Sequence, residues 1–264
     1  MDDRSIAFFD SGLGGLSIAL AARRAMPSEH FVYVGDCANA PYGDKSPAFI
    51  RRRVTAIASR LFESGRIKAL VLACNTATAE AADALRTAMP DRLIFGVEPA
   101  IKPAATYSKT GKIGMISTTR TASSRRYAEL IAHHASGVTV YSRGCPGLME
   151  EVEAGRFDGT AVRTLLHRYL DDMLEAGIDA LVLGCTHYPF LKGAIEAVAG
   201  PGVKIYVPDA AVASQVRRVL EARSMAADGT PEPDAFLISG LNAARRATVA
   251  ELYPFEKTLS ELTF

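Results

Sequence analysis

KALVLACNTATAEAADAL, residues 68–85, decides the reading of this chain, because residues 179–191 nearly repeat it as DALVLGCTHYPFL. Each copy runs Ala-Leu-Val-Leu, then a small residue and a cysteine, Cys74 or Cys185, and then turns abruptly polar. A short apolar run closed by a polar turn is the pattern of a parallel strand covered on both faces. Packing alone does not require two such strands to end on the same residue type.

Working outward, the same rhythm recurs. SIAFF leads into DSGLGGLSIALAARRAM, FVYVGD follows, KALVLAC leads into a helical pattern, and RLIFGVEP closes the series. The series then restarts: GKIGMISTTRTASSRRYAELIAHH matches the opening strand, turn and helix, GVTVYSRGCPG matches HFVYVGDCANAPYG, and EAGIDALVLGCTHYPF matches ESGRIKALVLACNTAT. Alternating strands and helices predict an α/β fold of mostly parallel sheets flanked by helices. Nearly equal offsets from Ile6 to Ile113 and from Cys74 to Cys185 predict two pseudo-symmetric lobes. The tail, KIYVPDAAVASQVRRVLEARS, a Pro/Gly-containing stretch, AFLISG and a last helix, is expected to return to the first sheet. That places residues 1–97 with 208–264 in one lobe and 98–207 in the other, with the active site in the cleft between them.

Composition narrows the function. The 264 residues are 48% hydrophobic and 22% charged, ordinary for a globular chain, and 30 basic against 29 acidic residues leave a formal net charge of +1. No global field then favours nucleic acid or an anionic membrane, and a small-molecule partner is expected. The opening MDDRSIAFFDSG lacks the basic and long apolar regions of a signal peptide, and no apolar run approaches the ~20 residues of a membrane span. A cytoplasmic protein is expected. Its four cysteines, Cys37, Cys74, Cys145 and Cys185, form no CxxC pair and read as free thiols.

In open parallel sheets, ligands bind beyond the carboxyl ends of the strands, where Cys74 and Cys185 stand. Two pseudo-equivalent thiols, one per lobe, would face each other across a cleft. Stereoinversion at a carbon acid uses such a pair, because a single base tends to return its proton to the face it came from. Pyridoxal phosphate would need a Schiff-base lysine, and no lysine occupies a comparable strand end, so a cofactor-free reaction is expected, with backbone N–H groups stabilising developing charge. Asp10 and Ser11 end the first strand in FFDSGLGG, Tyr42 and Gly43 sit in a turn placed to cover a ligand, and His187 stands two residues after Cys185. Cys37 and Cys145 lack the strand-then-cysteine pattern and read as incidental.

At these residues the sequence resembles the glutamate racemases of the aspartate/glutamate racemase family, along nearly the whole chain. FDSGLGGL, VGDCANAPYGDKSP, LVLACNTATA, GVEPAIKPA, STTRTASS and LVLGCTHYPFL occur in the family's order. The resemblance implies two α/β lobes, interconversion of L- and D-glutamate without cofactor or metal, D-glutamate for peptidoglycan, and a homodimer. It implies Cys74 and Cys185 as acid/base thiols, with Asp10 and His187 assisting, one beside each. Ser11, Tyr42, Gly43, Asn75, Thr76 and Thr186, the threonines Thr118 and Thr121 of STTRTASS, and Asp10 and His187 are implied to bind substrate. Glu153 matches an acidic residue near His187, with Glu150 and Glu151 as adjacent candidates. Cys37, Ser117 and the PDAAVA segment depart from the usual pattern and bear on the shape of the side-chain pocket.

Rival readings remain at this level. A relative within the family could act on aspartate or another small carbon acid. A dinucleotide-binding oxidoreductase would use GLGG and Asp36, although Ser17 stands where the third glycine belongs. A zinc hydrolase would use Cys74, Cys185 and His187 as ligands. A binding or regulatory protein on the same scaffold has no evident need for both thiols.

Overall fold

The computed structural model describes residues 2–263. In chain order it begins β1 (Ser5–Asp10), α1 (Leu16–Ala25), β2 (Phe31–Gly35), α2 (Pro47–Glu63), β3 (Ile67–Leu72), α3 (Asn75–Ala88), β4 (Leu93–Gly96) and α4 (Ile101–Tyr107). There follow β5 (Lys112–Ser117), α5 (Thr119–Ala122), α6 (Arg125–His134), β6 (Thr139–Gly144), α7 (Leu148–Glu153), α8 (Thr160–Glu175), β7 (Ala180–Gly184), α9 (Lys192–Ala199) and β8 (Lys204–Tyr206). The chain ends with α10 (Asp209–Ala222), β9 (Asp234–Ile238), α11 (Ala243–Leu252) and β10 (Lys257–Glu261).

Two parallel sheets result. One has the order β10-β9-β2-β1-β3-β4, the other β6-β5-β7-β8. The duplication is therefore topological as well as sequential: β2-β1-β3-β4 and β6-β5-β7-β8 share one connectivity, and β9 and β10 extend the first sheet beyond β2. Every residue of β3 and of β7 is buried, which is why both read as continuous apolar runs. The one charged member, Lys68, is paired inside with Glu29 at 2.6 Å.

Helices cover both faces, and α1 packs along α10. Leu13, Ala73 and Val97 from the first lobe join Ile116, Leu148 and Leu183 from the second in one buried cluster, so a continuous core ties the lobes together. Each fully buried Leu or Ile contributes about 1.5–3 kcal/mol. Among the described residues no helix is long and apolar enough to cross a membrane.

Candidate active site

The strand order reverses between β1 and β3, and again between β5 and β7, which opens a crevice at the carboxyl ends of those parallel strands. Cys74 follows β3 and Cys185 follows β7. Both thiols line the same cavity, about 300 Å³ of empty space, together with Ser11, Tyr42, Gly43, Asn75, Thr76, Thr118, Thr186 and His187. A larger and more open cavity, about 1070 Å³, lies between Arg51, Glu80, Arg120 and Arg126 and contains neither thiol.

Cys74 is the N-cap of α3, where its Sγ accepts the Ala77 N–H at 3.4 Å and lies 3.6 Å from Ser11 Oγ. Burial, with the Asp10 charge as the next contribution, pushes this thiol up to about 12 against those two donors. A helix N-terminus ordinarily favours thiolate; here desolvation wins, and Cys74 is a thiol at neutral pH.

Asp10, the carboxylate expected to assist one cysteine, makes its hydrogen bonds elsewhere. Its Oδ1 accepts the Gly12 N–H at 2.7 Å and its Oδ2 the Thr186 hydroxyl at 3.1 Å, so it reaches Cys74 by charge alone. Complete burial raises its carboxyl above the usual range, although His187 and the Gly12 N–H act the other way.

Cys185 has a different neighbourhood. Its Sγ lies 3.7 Å from His187 Nδ1, and His187 Nε2 lies 2.8 Å from Glu153 Oε1. Burial alone would lower the His187 pKa, but the bonds to Cys185 and Glu153 outweigh it and hold the imidazole well above its ordinary value. For Glu153, burial pushes upward, and the His187 contact and the Leu13 N–H, 2.6 Å from Oε1, bring the net below the ordinary value. Of the three acidic candidates, only Glu153 reaches His187: Glu150 accepts the Gly147 N–H and Glu151 pairs with Arg156.

Asn75 is 4% exposed, yet neither its Oδ1 nor its Nδ2 has a protein partner. Buried polar atoms are nearly always bonded, and this amide lines the cavity. Thr76, Thr118 and Thr121 form a closed ring of hydroxyls at 3.0, 3.2 and 3.0 Å that joins the two lobes. Thr76 and Thr118 line the cavity, and Thr121 stands behind them.

Tyr42 contributes its ring to the wall, since its hydroxyl is committed to Asp36 at 2.7 Å. Asp36 also binds Arg53 through both oxygens and accepts from Asn39 and Ser239. A carboxylate so occupied has no capacity left for a ribose. The glycines that read as a partial dinucleotide motif serve the site directly instead: a Cβ at Gly12 would overlap the Glu153 carboxylate, and one at Gly14 the His187 ring. Among the described residues no three His, Cys, Asp or Glu side chains converge closely enough to hold a metal ion.

Cys37 and Cys145 are buried in the core, where desolvation pushes Cys37 well up and Cys145 to about 12. None of the three departures noted above lines the cavity. Cys37 is in the core, Ser117 is buried with its Oγ 3.0 Å from the Thr118 carbonyl, and Asp209 of PDAAVA bonds Ser17 at 3.3 Å. Met149, unforeseen from the sequence, lines the cavity. It precedes Glu153 by four residues on α7, a spacing that puts both on one helix face.

A family model described as Asp/Glu/Hydantoin racemase matches residues 16–216. A glutamate racemase of Pseudomonas aeruginosa strain UCBPP-PA14 is 45% identical over 241 residues, 91% of either chain. This chain belongs to the aspartate/glutamate racemase family. Solved members of the family share its architecture over the full length. A glutamate racemase isoform from Bacillus anthracis superposes with a TM-score of 0.89 at 29% identity, covering 100% of this chain and 99% of its own. The Francisella tularensis glutamate racemase in complex with D-glutamate gives 0.88 at 28% identity, covering 100% of this chain and 98% of its own.

Proposed function

We propose that the chain is a cofactor-independent glutamate racemase that interconverts the L and D enantiomers through Cys74 and Cys185, one thiol on each face of Cα. The observation that carries the two-thiol reading is their placement: each follows the corresponding strand of its lobe, and both line one cavity with an unpartnered amide, Asn75.

The chemistry follows from that placement. A thiolate removes the Cα proton, forming S–H and leaving the electron pair on Cα; the opposite thiol delivers its proton to the other face and becomes the thiolate. Cys74 begins as a thiol, the acid. Cys185 is the base when the proton it shares with His187 rests on the imidazole, and the reverse reaction exchanges the roles. The Asn75 amide and the first N–H groups of α3 are the donors for substrate carboxylate, where charge grows as Cα is deprotonated, and Thr76 and Thr186 line the same cavity beside them. A buried site strengthens each of these interactions.

The accompanying proposals are lobe boundaries at 97/98 and 207/208, a homodimer, a cytoplasmic location, which suits four free thiols, and supply of D-glutamate to peptidoglycan synthesis. Circular dichroism of the purified protein, free of metal and pyridoxal phosphate, tests the activity. Optical rotation of D-glutamate is expected to decay to zero, and that of D-aspartate to persist far longer. Persistent rotation of both would sink the reading.

A further inference from the structure

Three successive backbone N–H groups leave the end of β1, and each points at a different ionisable side chain. Gly12 N–H donates to Asp10 at 2.7 Å, Leu13 N–H donates to Glu153 at 2.6 Å, and Gly14 N–H lies 3.1 Å from His187 Nε2. Convergent amides of this kind make an anion-binding concavity, and here the protein's own groups fill it. The loop is pinned from beneath by Tyr33 of β2, which is 1% exposed and donates its hydroxyl to the Gly12 carbonyl at 2.8 Å. The Tyr33 ring is fixed independently by Phe236, 5.2 Å away between centroids.

His187 Nε2 faces two demands that cannot be met together. Glu153 Oε1, at 2.8 Å, requires a proton on that nitrogen, whereas the Gly14 N–H requires its lone pair. As an imidazolium, His187 satisfies Glu153 and Cys185 and leaves the buried Gly14 N–H without an acceptor. As the neutral form with its proton on Nδ1, it satisfies Gly14 and still faces Cys185, while Glu153 retains the Leu13 N–H. Leaving a buried amide unpaired costs about as much as a lost hydrogen bond, so the loop opposes the carboxylate.

We propose that the Gly12–Gly14 amide cradle, set by Tyr33, competes with Glu153 for the Nε2 position of His187 and so keeps this histidine able both to take and to return the Cys185 proton. Tyr33 and Gly14 are then positioning residues. Neither lines the substrate cavity. The inference deepens the racemase reading and rests on it: Glu153 and Cys185 both favour a proton on His187, and the Gly14 N–H is the contact that acts the other way, toward a histidine that can give its proton back. The groups acting on His187 are Asp10 from β1, Glu153 from α7 and Cys185 from its own turn, with Arg245 of α11 acting through Glu153.

The test is histidine ring nitrogen-15 NMR of the full chain across pH. Tyr33→Phe keeps the ring and deletes only the donor, and Glu153→Gln weakens the opposing partner. Tyr33→Phe is expected to raise the His187 midpoint by about half a unit to one unit and Glu153→Gln to lower it by about one unit. The limb of the kcat/KM profile that follows His187 should move with each, and in Tyr33→Phe kcat should fall about fivefold with KM within about twofold. A midpoint unchanged or lowered in Tyr33→Phe overturns the inference. So does an Nε2–H tautomer of neutral His187 in the parental protein, a readout that needs no variant to fold. Absence of racemisation with these NMR results intact would count against the racemase reading alone.

Discussion

Cys74 and Cys185 occupy equivalent places in two lobes of one topology, yet their surroundings differ in almost every respect. Cys74 opens a 14-residue helix, takes an N–H and a serine hydroxyl as partners, and meets its nearest carboxylate only through charge. Cys185 precedes a short 3-10 turn, Tyr188–Leu191, and stands beside a histidine that is itself gripped by a glutamate and a backbone loop from the other lobe. Pseudo-symmetry therefore extends to the backbone and stops at the proton-handling groups. The proposed reaction needs two opposed thiols, but it does not need them activated in the same way.

The largest effect that would break this comparison is loss of either thiol. Cys74→Ser and Cys185→Ser are each expected to lower racemisation at least about 10³-fold, within the range for general acid–base groups, with folding checked by circular dichroism. Parental rates in both variants would end the two-thiol account.

Asn75 belongs to the Cys74 half alone, so its removal sharpens the asymmetry. Asn75→Ala should raise KM for glutamate by roughly 10–100-fold, the loss expected for hydrogen bonds to a charged carboxylate, and steady-state kinetics in both directions would show it. A KM within twofold of the parent would mean that the orphan amide has no part in binding.

Protonation supplies the third comparison. The Cys74 thiol is raised from 9.0 to about 12 in the folded state, chiefly by burial. A raised pKa gives stability that is complete below the unfolded value and lost as pH climbs to the folded one. Stability should therefore fall between about pH 9 and 12, by an amount on the order of a few kcal/mol, and Cys74→Ser should flatten that fall. Urea titrations across this range would detect a slope that the variant leaves unaltered, and that result would contradict the assigned burial effect.

Asp209 provides a control outside both thiol environments. It is raised from 3.8 to about 6 by burial, against the Ser17 hydrogen bond. By the same sign, its contribution is complete below pH 3.8 and lost as pH rises to about 6. Asp209→Asn, which retains an acceptor for Ser17, should stabilise the chain at pH 7 by about 1–3 kcal/mol and raise Tm by about 5 °C. Racemase activity should stay within twofold. A lowered Tm at pH 7 would show that α10 needs the carboxylate.

Much of this is legible in the sequence. Strands buried on both faces advertise themselves as apolar runs, so β3, β7 and the duplication could be read from the echo around Cys74 and Cys185. What could not be read was the choice of partner. The family resemblance points to Glu153 with Glu150 and Glu151 beside it, the residues themselves hold no physical reason for that order, and α7 brings Glu153 alone of the three to His187. The Tyr42 hydroxyl and the Asp10 carboxylate look available for a ligand, and tertiary packing commits them to Asp36 and to Gly12 with Thr186. Met149 and Tyr33 carry no local signal beyond being apolar, because their significance lies in contacts made across long stretches of chain.

The most direct test of the central claim is the fate of solvent deuterium. Glutamate of one configuration is incubated with the protein in deuterated water, and early samples are resolved into enantiomers and weighed by mass spectrometry. Two opposed thiols predict deuterium at Cα of the product while the recovered substrate stays unlabelled, from either enantiomer. Deuterium entering recovered substrate as fast as product would point to a single base serving both faces, and the assignment of Cys74 and Cys185 to opposite sides of Cα would be wrong.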